Sequence, residues 1–481
     1  MRNIFGAVAL MLPAAASAQT AVRPASDTAL ARRILVAEDR RDATDPALAA
    51  GRASQDPLVR TLALRATSRI ADKAYAGRDS LPPLPRPVTW PEPAWRLRYR
   101  ALAAPKGDCS KLETAMADSA WAVRLHAVDL ADSTCAGNAA LLTTVRTWID
   151  KLPTDASRRA AGGVSWHAAA HGIVALARLQ PGEARTRLPK LSAHAQWQVR
   201  AYAARAAAVL HDSTTLRRLA VDRHDNVRDV AITALAKLTG HADDALYLAT
   251  IGNPAIGAQA GRAAAAALKG SPRADVASAA SAAFDRWAGK NIASARDVRL
   301  ALLDAAGRPA TDDRPPASRS SVPANAVALA MGAPIRLRVT IAPASGRGSF
   351  VVLLRGDVAP LMAARIDQAV HHGYYRGLTW HRVEPDFVIQ GGSPAANEYV
   401  GSREFLRDEL GTVPHLRGTV GMSTRGHDTG DYQWFVNLKD NLRLNADYTI
   451  FGEVTEGIDI VDGILEGDVI QSIEESPEGH D

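Results

Sequence analysis

Two patterns of apolar and polar residues divide this chain. Between residues 26 and 306, apolar positions recur at helical spacing in an Ala-, Leu- and Arg-rich background, which predicts a succession of amphipathic helices. After residue 334 the period shortens to two. Residues 334–342 and 348–355 alternate as strands around a turn, and 380–383 and 387–390 form two more on either side of Pro385 and Asp386. Further short strands are predicted at 418–424, 433–438 and 448–454, with helices at 359–371 and 457–465. Many short strands with two helices indicate a closed antiparallel β-barrel. Residues 307–329, rich in Pro, Ser and charge, read as an extended linker that lets the two parts move. The expected domains are therefore 26–306 and 330–475.

Within the helical region one phrase recurs. It reads DPLVRTLALRAT from Asp56, SAWAVRLHAVDL from Ser119, AQWQVRAYAARA from Ala195, HDNVRDVAITAL from His224 and ARDVRLALLDAA from Ala295. Each copy opens on polar or aromatic residues, continues with Val-Arg and runs into a small or apolar helical face, and Val199 and Val227 are 28 positions apart. The recurrence resembles short HEAT repeats. That resemblance implies an all-α solenoid, because one helix pair cannot bury its apolar face alone. It places the Val in the helix interface and pairs the Arg with an acid of the next repeat. Residues 90–105 and 162–177 fit the phrase poorly, so an irregular helical bundle is the alternative.

A length of 481 residues exceeds one compact core, and 47% hydrophobic with 22% charged residues excludes wholesale disorder. Residues 1–18 carry an early Arg2, an apolar run over 4–12 and Ala-Ser-Ala ending at Ala18. This is the pattern of a secretory leader cleaved before Gln19. The apolar run is shorter than the ~20 residues of a membrane span, so an exported protein, periplasmic or secreted and without stable membrane insertion, is expected. The 57 basic and 51 acidic residues are interspersed along the chain, which argues against a nucleic-acid partner despite the net charge of +6. An exported compartment permits a disulfide between Cys109 and Cys135, two separate buried thiols being the alternative. His167 and His171 share one helix face, as a metal pair would require, but no third ligand accompanies them. A packed or solvent-facing pair is the reading adopted.

The chemistry lies in the second half. Trp380-His381-Arg382, the run 386–392 (DFVIQGG), the run 418–423 (GTVGMS), Gln433-Trp434-Phe435 and the run 451–454 (FGEV) occur in that order, after a strand-to-helix turn at 356–360 (GDVAP). This series resembles the cyclophilin family of peptidyl-prolyl cis/trans isomerases over about 335–473. The resemblance implies that Arg382 is the essential arginine, with Gln390 as its catalytic neighbour. Phe387 and Phe435 would floor a proline pocket with Val388 beside them, and Gln433 would hydrogen-bond the substrate or orient the arginine. Leu444 and Tyr448 would form the far wall, and Ser423 and Thr424 the edge that meets the peptide backbone. No nucleophile, metal or cofactor is required. Departures stand at Arg443, Arg425 and Trp434, and they imply altered rim charge and substrate preference. His427-Asp428 lacks the serine of a hydrolase elbow and reads as a solvated loop.

The expected function is isomerisation of X-Pro bonds in exported polypeptides to assist folding, with the helical repeats binding those proline-containing clients or a protein partner. A scaffold that only holds proline segments, or a holdase acting through the repeats, are the rival readings.

Overall fold

A computed structural model describes residues 25–71, 84–152, 166–290, 292–311, 321–342 and 348–476. The period-two segments form eight strands: β1 (Arg336–Ile341), β2 (Ser349–Leu354), β3 (Thr379–Val383), β4 (Val388–Ser393), β5 (Thr419–Met422), β6 (Trp434–Asn437), β7 (Ile450–Glu456) and β8 (Ile470–Glu475). Neighbours pair antiparallel in the order β3-β4-β6-β5-β7-β2-β1-β8. The two ends of the sheet meet at a bridge between Thr379 and Val469, where the Trp380 amide donates to the Asp468 carbonyl at 2.9 Å. The sheet thus nearly closes into a barrel, which removes its free edges. Helices Pro360–His371 and Ile458–Gly463 complete this part. Strand β8 was absent from the sequence reading. Only its first residue is fully buried, so its alternation is too weak to register.

All five recurring phrases begin a helix, and their valines (Val59, Val123, Val199, Val227 and Val298) are buried. Their arginines depart from expectation. Arg60 donates to the Ser54 and Gln55 carbonyls, Arg124 to Asp118 O, Arg200 to His194 O at 2.8 Å, Arg228 to Asp222 O and Arg299 to Ile292 O at 2.7 Å. The side chain folds back to satisfy the turn that enters its own helix. Arg200 also meets an acid in the turn that leads into the next copy, Asp222 at 2.8 Å.

Two cores result. One runs through the helical array from Cys109 to Ala305. The other joins the barrel to helices Ala25–Arg40, Pro46–Arg52 and Pro57–Ala71, whose Ile34, Leu35, Val59 and Leu62 belong to the same apolar cluster as Leu361, Met362 and Val420. The first helices therefore pack with the barrel, although their spacing matched the repeats. Part of the expected linker is also fixed there. Residues Ala326–Ala330 form a helix with Ala326, Val327 and Leu329 buried, because this stretch is apolar despite its Pro-rich approach.

Buried arginines fasten the helical part to the barrel. Arg69, 2% exposed, donates to the carbonyls of Val358 (2.7 Å), Glu409 (3.2 Å) and Leu410 (2.8 Å) and pairs with Glu38 at 2.8 Å. Arg96 reaches Pro385 O, Leu438 O and Asp462, and Arg365 pairs with Asp39 at 2.9 Å. Cys109 and Cys135 form a disulfide. The leader reading at 1–18 lies outside the described residues. Among the described residues no helix is long and apolar enough to cross a membrane.

Candidate active site

Antiparallel pairing of β3 with β4 sets Arg382 opposite Gln390, and pairing of β4 with β6 sets Gln390 opposite Phe435. Three residues from three strands are thereby brought to one face. A cavity of about 320 Å³ opens there, lined by Arg382, Phe387, Val388, Gln390, Ser423, Thr424, Phe435, Leu444 and Tyr448, together with Glu398, Tyr399, Arg425 and Arg443. Its apolar side is a cluster of buried Val388, Phe435 and Leu444 against which Phe387 and Tyr448 pack, and this cluster is separate from both large cores. The Phe435 and Tyr448 rings meet edge to face at 5.8 Å. Gly421 permits this: a Cβ there would fall 2.5 Å from Phe435 Cζ.

The polar side is built around Arg382, whose side chain is 34% exposed. Its Nε donates to Glu384 Oε1 at 2.7 Å and its Nη2 donates to the same oxygen. Nη1 donates to Glu398 Oε1 at 2.7 Å and to Gln390 Oε1 at 3.4 Å. A guanidinium has five N–H donors. Four are committed among the described residues, which leaves one, on Nη2. Gln390 is in turn held by its Nε2, which donates to Ser423 Oγ (2.9 Å) and Gln433 Oε1 (3.3 Å).

Gln433 itself does not line the cavity. It is fully buried and donates to Glu398 O and Asp431 Oδ2, so it supports Gln390 from behind and cannot reach a bound peptide. Trp434 is also buried, packed edge to face with Trp380 at 5.0 Å in the main barrel core, and changes nothing at the rim. Arg425 does reach the rim, but its charge is matched by Asp297 and by Asp431 at 3.0 Å. His427 and Asp428 are occupied in lacing two loops: the amides of Asp408 and Asp428 each donate to the other's carboxylate, and His427 lies 3.6 Å from the Asp408 carboxylate. His167 contacts the Glu466 carbonyl at 2.6 Å, whereas His171 lies between Asp129 and Tyr202. Each ring is thus held by its own polar partners.

Sequence reasoning missed Glu384, Glu398 and Tyr399 at the site. Glu384 lies two residues from Arg382 and could have been noticed; Glu398 and Tyr399 sit on a loop whose path no periodicity reveals. His415 was also missed. It stacks behind Phe435 at 5.9 Å, and burial pushes its pKa down to about 4 although its contact with the Tyr448 carbonyl opposes this.

An apolar niche set beside an anchored guanidinium on a nearly closed antiparallel barrel defines the site's class: a cavity that can hold a small apolar group and direct a cationic donor at it. Comparison with known proteins specifies it. The family model for "Cyclophilin type peptidyl-prolyl cis-trans isomerase/CLD" matches residues 338–478. A peptidyl-prolyl cis-trans isomerase of Helicobacter pylori is 33% identical over 137 residues, 28% of this chain and 85% of that protein. Peptidyl-prolyl cis-trans isomerase B of Bacillus subtilis is 34% identical over 119 residues, 24% of this chain and 83% of that protein. Among solved structures, a cyclophilin-type peptidyl-prolyl cis-trans isomerase of Cryptosporidium parvum matches 30% of this chain and 99% of its own, with 20% identity and a TM-score of 0.28. The chain belongs to the cyclophilin-type peptidyl-prolyl cis/trans isomerases, the family region being its C-terminal barrel.

Proposed function

We propose that the chain isomerises X-Pro peptide bonds in the cavity beside Arg382 and does so for exported polypeptides during their folding. The observation that carries the assignment is the single uncommitted N–H of Arg382 next to the apolar cluster of Val388, Phe435 and Leu444. Rotation about a peptide bond is opposed by amide resonance, a barrier of about 18–20 kcal/mol. Proline is the residue for which both isomers are populated. When the bond twists, resonance is lost and the proline nitrogen becomes a hydrogen-bond acceptor. A donor aimed at that nitrogen has little to bind in the planar ground state, so it stabilises the transition state selectively. The apolar cluster holds the pyrrolidine ring while the chain on its N-terminal side swings. Gln390, oriented by Ser423 and Gln433, presents its amide along the same wall.

The helical array would gather the client. A second cleft of about 300 Å³ between array and barrel is lined by Tyr99, His126 and Tyr202 on one side and by Pro385 and Phe387 on the other, so Phe387 borders both cavities. This supports the array as the place where residues flanking the proline lie. Export rests on the leader pattern of residues 1–18, and the Cys109–Cys135 disulfide agrees with an oxidising compartment.

The test uses the full chain, because the first three helices share the barrel's core. Isomerisation of a proline tetrapeptide should fall by roughly 100-fold or more in Arg382→Ala. A wild-type rate in that variant would remove the assignment, and peptide binding without turnover by the unmodified protein would favour a scaffold.

A further inference from the structure

The segment 395–403 follows β4 and carries Glu398 and Tyr399 into the cavity. It has internal bonds, since Asn397 Oδ1 accepts from the Tyr399 amide at 2.9 Å and the Val400 amide at 3.0 Å. Many of the bonds that fix it in space come from the helical array. Asn226, 5% exposed, donates from Nδ2 to the carbonyls of Ala395 and Ala396, both at 3.0 Å, and its Oδ1 accepts from Asn397 Nδ2 at 3.0 Å. Arg262 lies 4.1 Å over the Tyr399 ring and is itself held by Asp229 at 2.9 Å. The Ala293 amide donates to Arg403 O at 3.0 Å. Asp297 pairs with Arg425, which in turn donates to the Glu398 carbonyl.

These contacts share an origin in the repeats. Asn226 and Asp297 each stand directly before the valine of the recurring phrase, in Asn226-Val227-Arg228 and Asp297-Val298-Arg299. In these copies the valine is buried between helices and the residue before it is turned towards the barrel. Gln198, at the same place in its own copy, lies against Gly467.

A second observation is independent of these bonds. Ala396 has φ of +52°, a left-handed conformation unfavourable for a residue with a Cβ. Asn226 binds the carbonyls on both sides of the Ala396 amide–Cα unit, where the strain lies. Surface loops are mobile by default, and one that is strained persists only when its surroundings over-determine it.

We propose that the helical array is a working part of the isomerase site: through Asn226, Arg262 and Asp297 it fixes the 395–403 loop, and Glu398 on that loop is a positioning residue for Arg382. The inference rests on the reading of Arg382 as the catalytic group. Glu384 holds the Nε edge of the guanidinium and Glu398 holds Nη1. With both in place the last N–H has one direction; with Glu398 displaced the long side chain regains rotation about its terminal bonds, and the donor is no longer preorganised.

The experiment measures kcat and KM of the full-length protein on a proline tetrapeptide, with thermal unfolding recorded for every variant. Glu398→Gln and Asn226→Ala should each lower kcat about tenfold while KM stays nearly constant, since positioning rather than binding is lost. The double variant should be no slower than Glu398→Gln alone, because both act through one contact. Should Asn226→Ala fail to fold, Asp297→Asn gives the same comparison through Arg425. The proposal is overturned if Asn226→Ala keeps the wild-type kcat, if the losses multiply, or if Glu398→Gln is faster, which would make the carboxylate a restraint. Arg382→Ala at the wild-type rate would instead overturn the site assignment itself.

Discussion

The guanidinium of Arg443 lies over the face of Phe387, its central carbon 4.3 Å from the ring centre. Of the three arginines that line the cavity, Arg382 faces Glu384 and Glu398, and Arg425 faces Asp297 and Asp431. Among the described residues Arg443 has no carboxylate partner. Its charge is therefore open to whatever enters the cavity, beside Phe387. Peptides with Asp or Glu beside the proline should be turned over roughly fivefold better than those with Lys, as measured by kcat/KM at low salt. The preference should shrink as ionic strength rises to about 0.5 M and reverse in Arg443→Glu.

Arg382→Lys tests geometry apart from charge. An ammonium is a compact charge that cannot hold Glu384 and Glu398 on two edges while directing a further N–H at the pocket. We expect kcat to fall by at least about tenfold with an unchanged unfolding temperature. A lysine variant of wild-type activity would mean that positive charge alone suffices.

His415 links the pocket to acid stability. Its folded pKa is near 4 and its ordinary value is 6.5, with burial the main cause. Between these values the unfolded chain binds a proton that the folded chain does not, so stability from this residue is complete above about pH 6.5 and is lost as pH falls towards 4. The ring stays neutral through the range in which isomerases are assayed. NMR titration of the His415 ring should show no protonation above about pH 5, and His415→Gln should flatten the acid side of the stability curve.

Arg69→Ala should be among the most damaging substitutions away from the site. It would strand buried Glu38 and three carbonyls at the junction of helices and barrel, a loss of about 3–5 kcal/mol by denaturant unfolding. Arg98 also pairs with an acid, Asp118, whose pKa the arginine's hydrogen bond lowers to about 2, but its side chain is 47% exposed. Arg98→Ala should shift stability by less than about 1 kcal/mol.

Strand β1 was legible because its residues alternate between core and surface, whereas β4, β5 and β6 are buried along their whole length and showed as short apolar runs bounded by turn residues. Strand β8 was lost because it lies at the end of the sheet with little to bury. The motif series led to Arg382, Phe387, Gln390 and Phe435, which the strand register brings together. It did not reveal that Gln433 is enclosed behind Gln390, because the motif carries the residue type and not its depth.

From the sequence alone came the two regimes of periodicity, the family of the barrel and most residues that line the cavity beside Arg382, all of which depend on local spacing and on short motif runs. The tertiary structure decided what depends on neighbours distant in the chain. Helices 25–71 joined the barrel's core because an apolar face is satisfied by any complementary surface, and the repeat-like spacing does not say which. The phrase arginines turned back to nearby carbonyls because those groups lie within reach and must be satisfied. Glu398 meets Arg382, 16 residues away, from a loop whose Ala395 and Ala396 carbonyls accept from Asn226, 172 residues before Glu398. Side-chain chemistry is written locally, whereas the direction of a hydrogen bond is set by the whole fold.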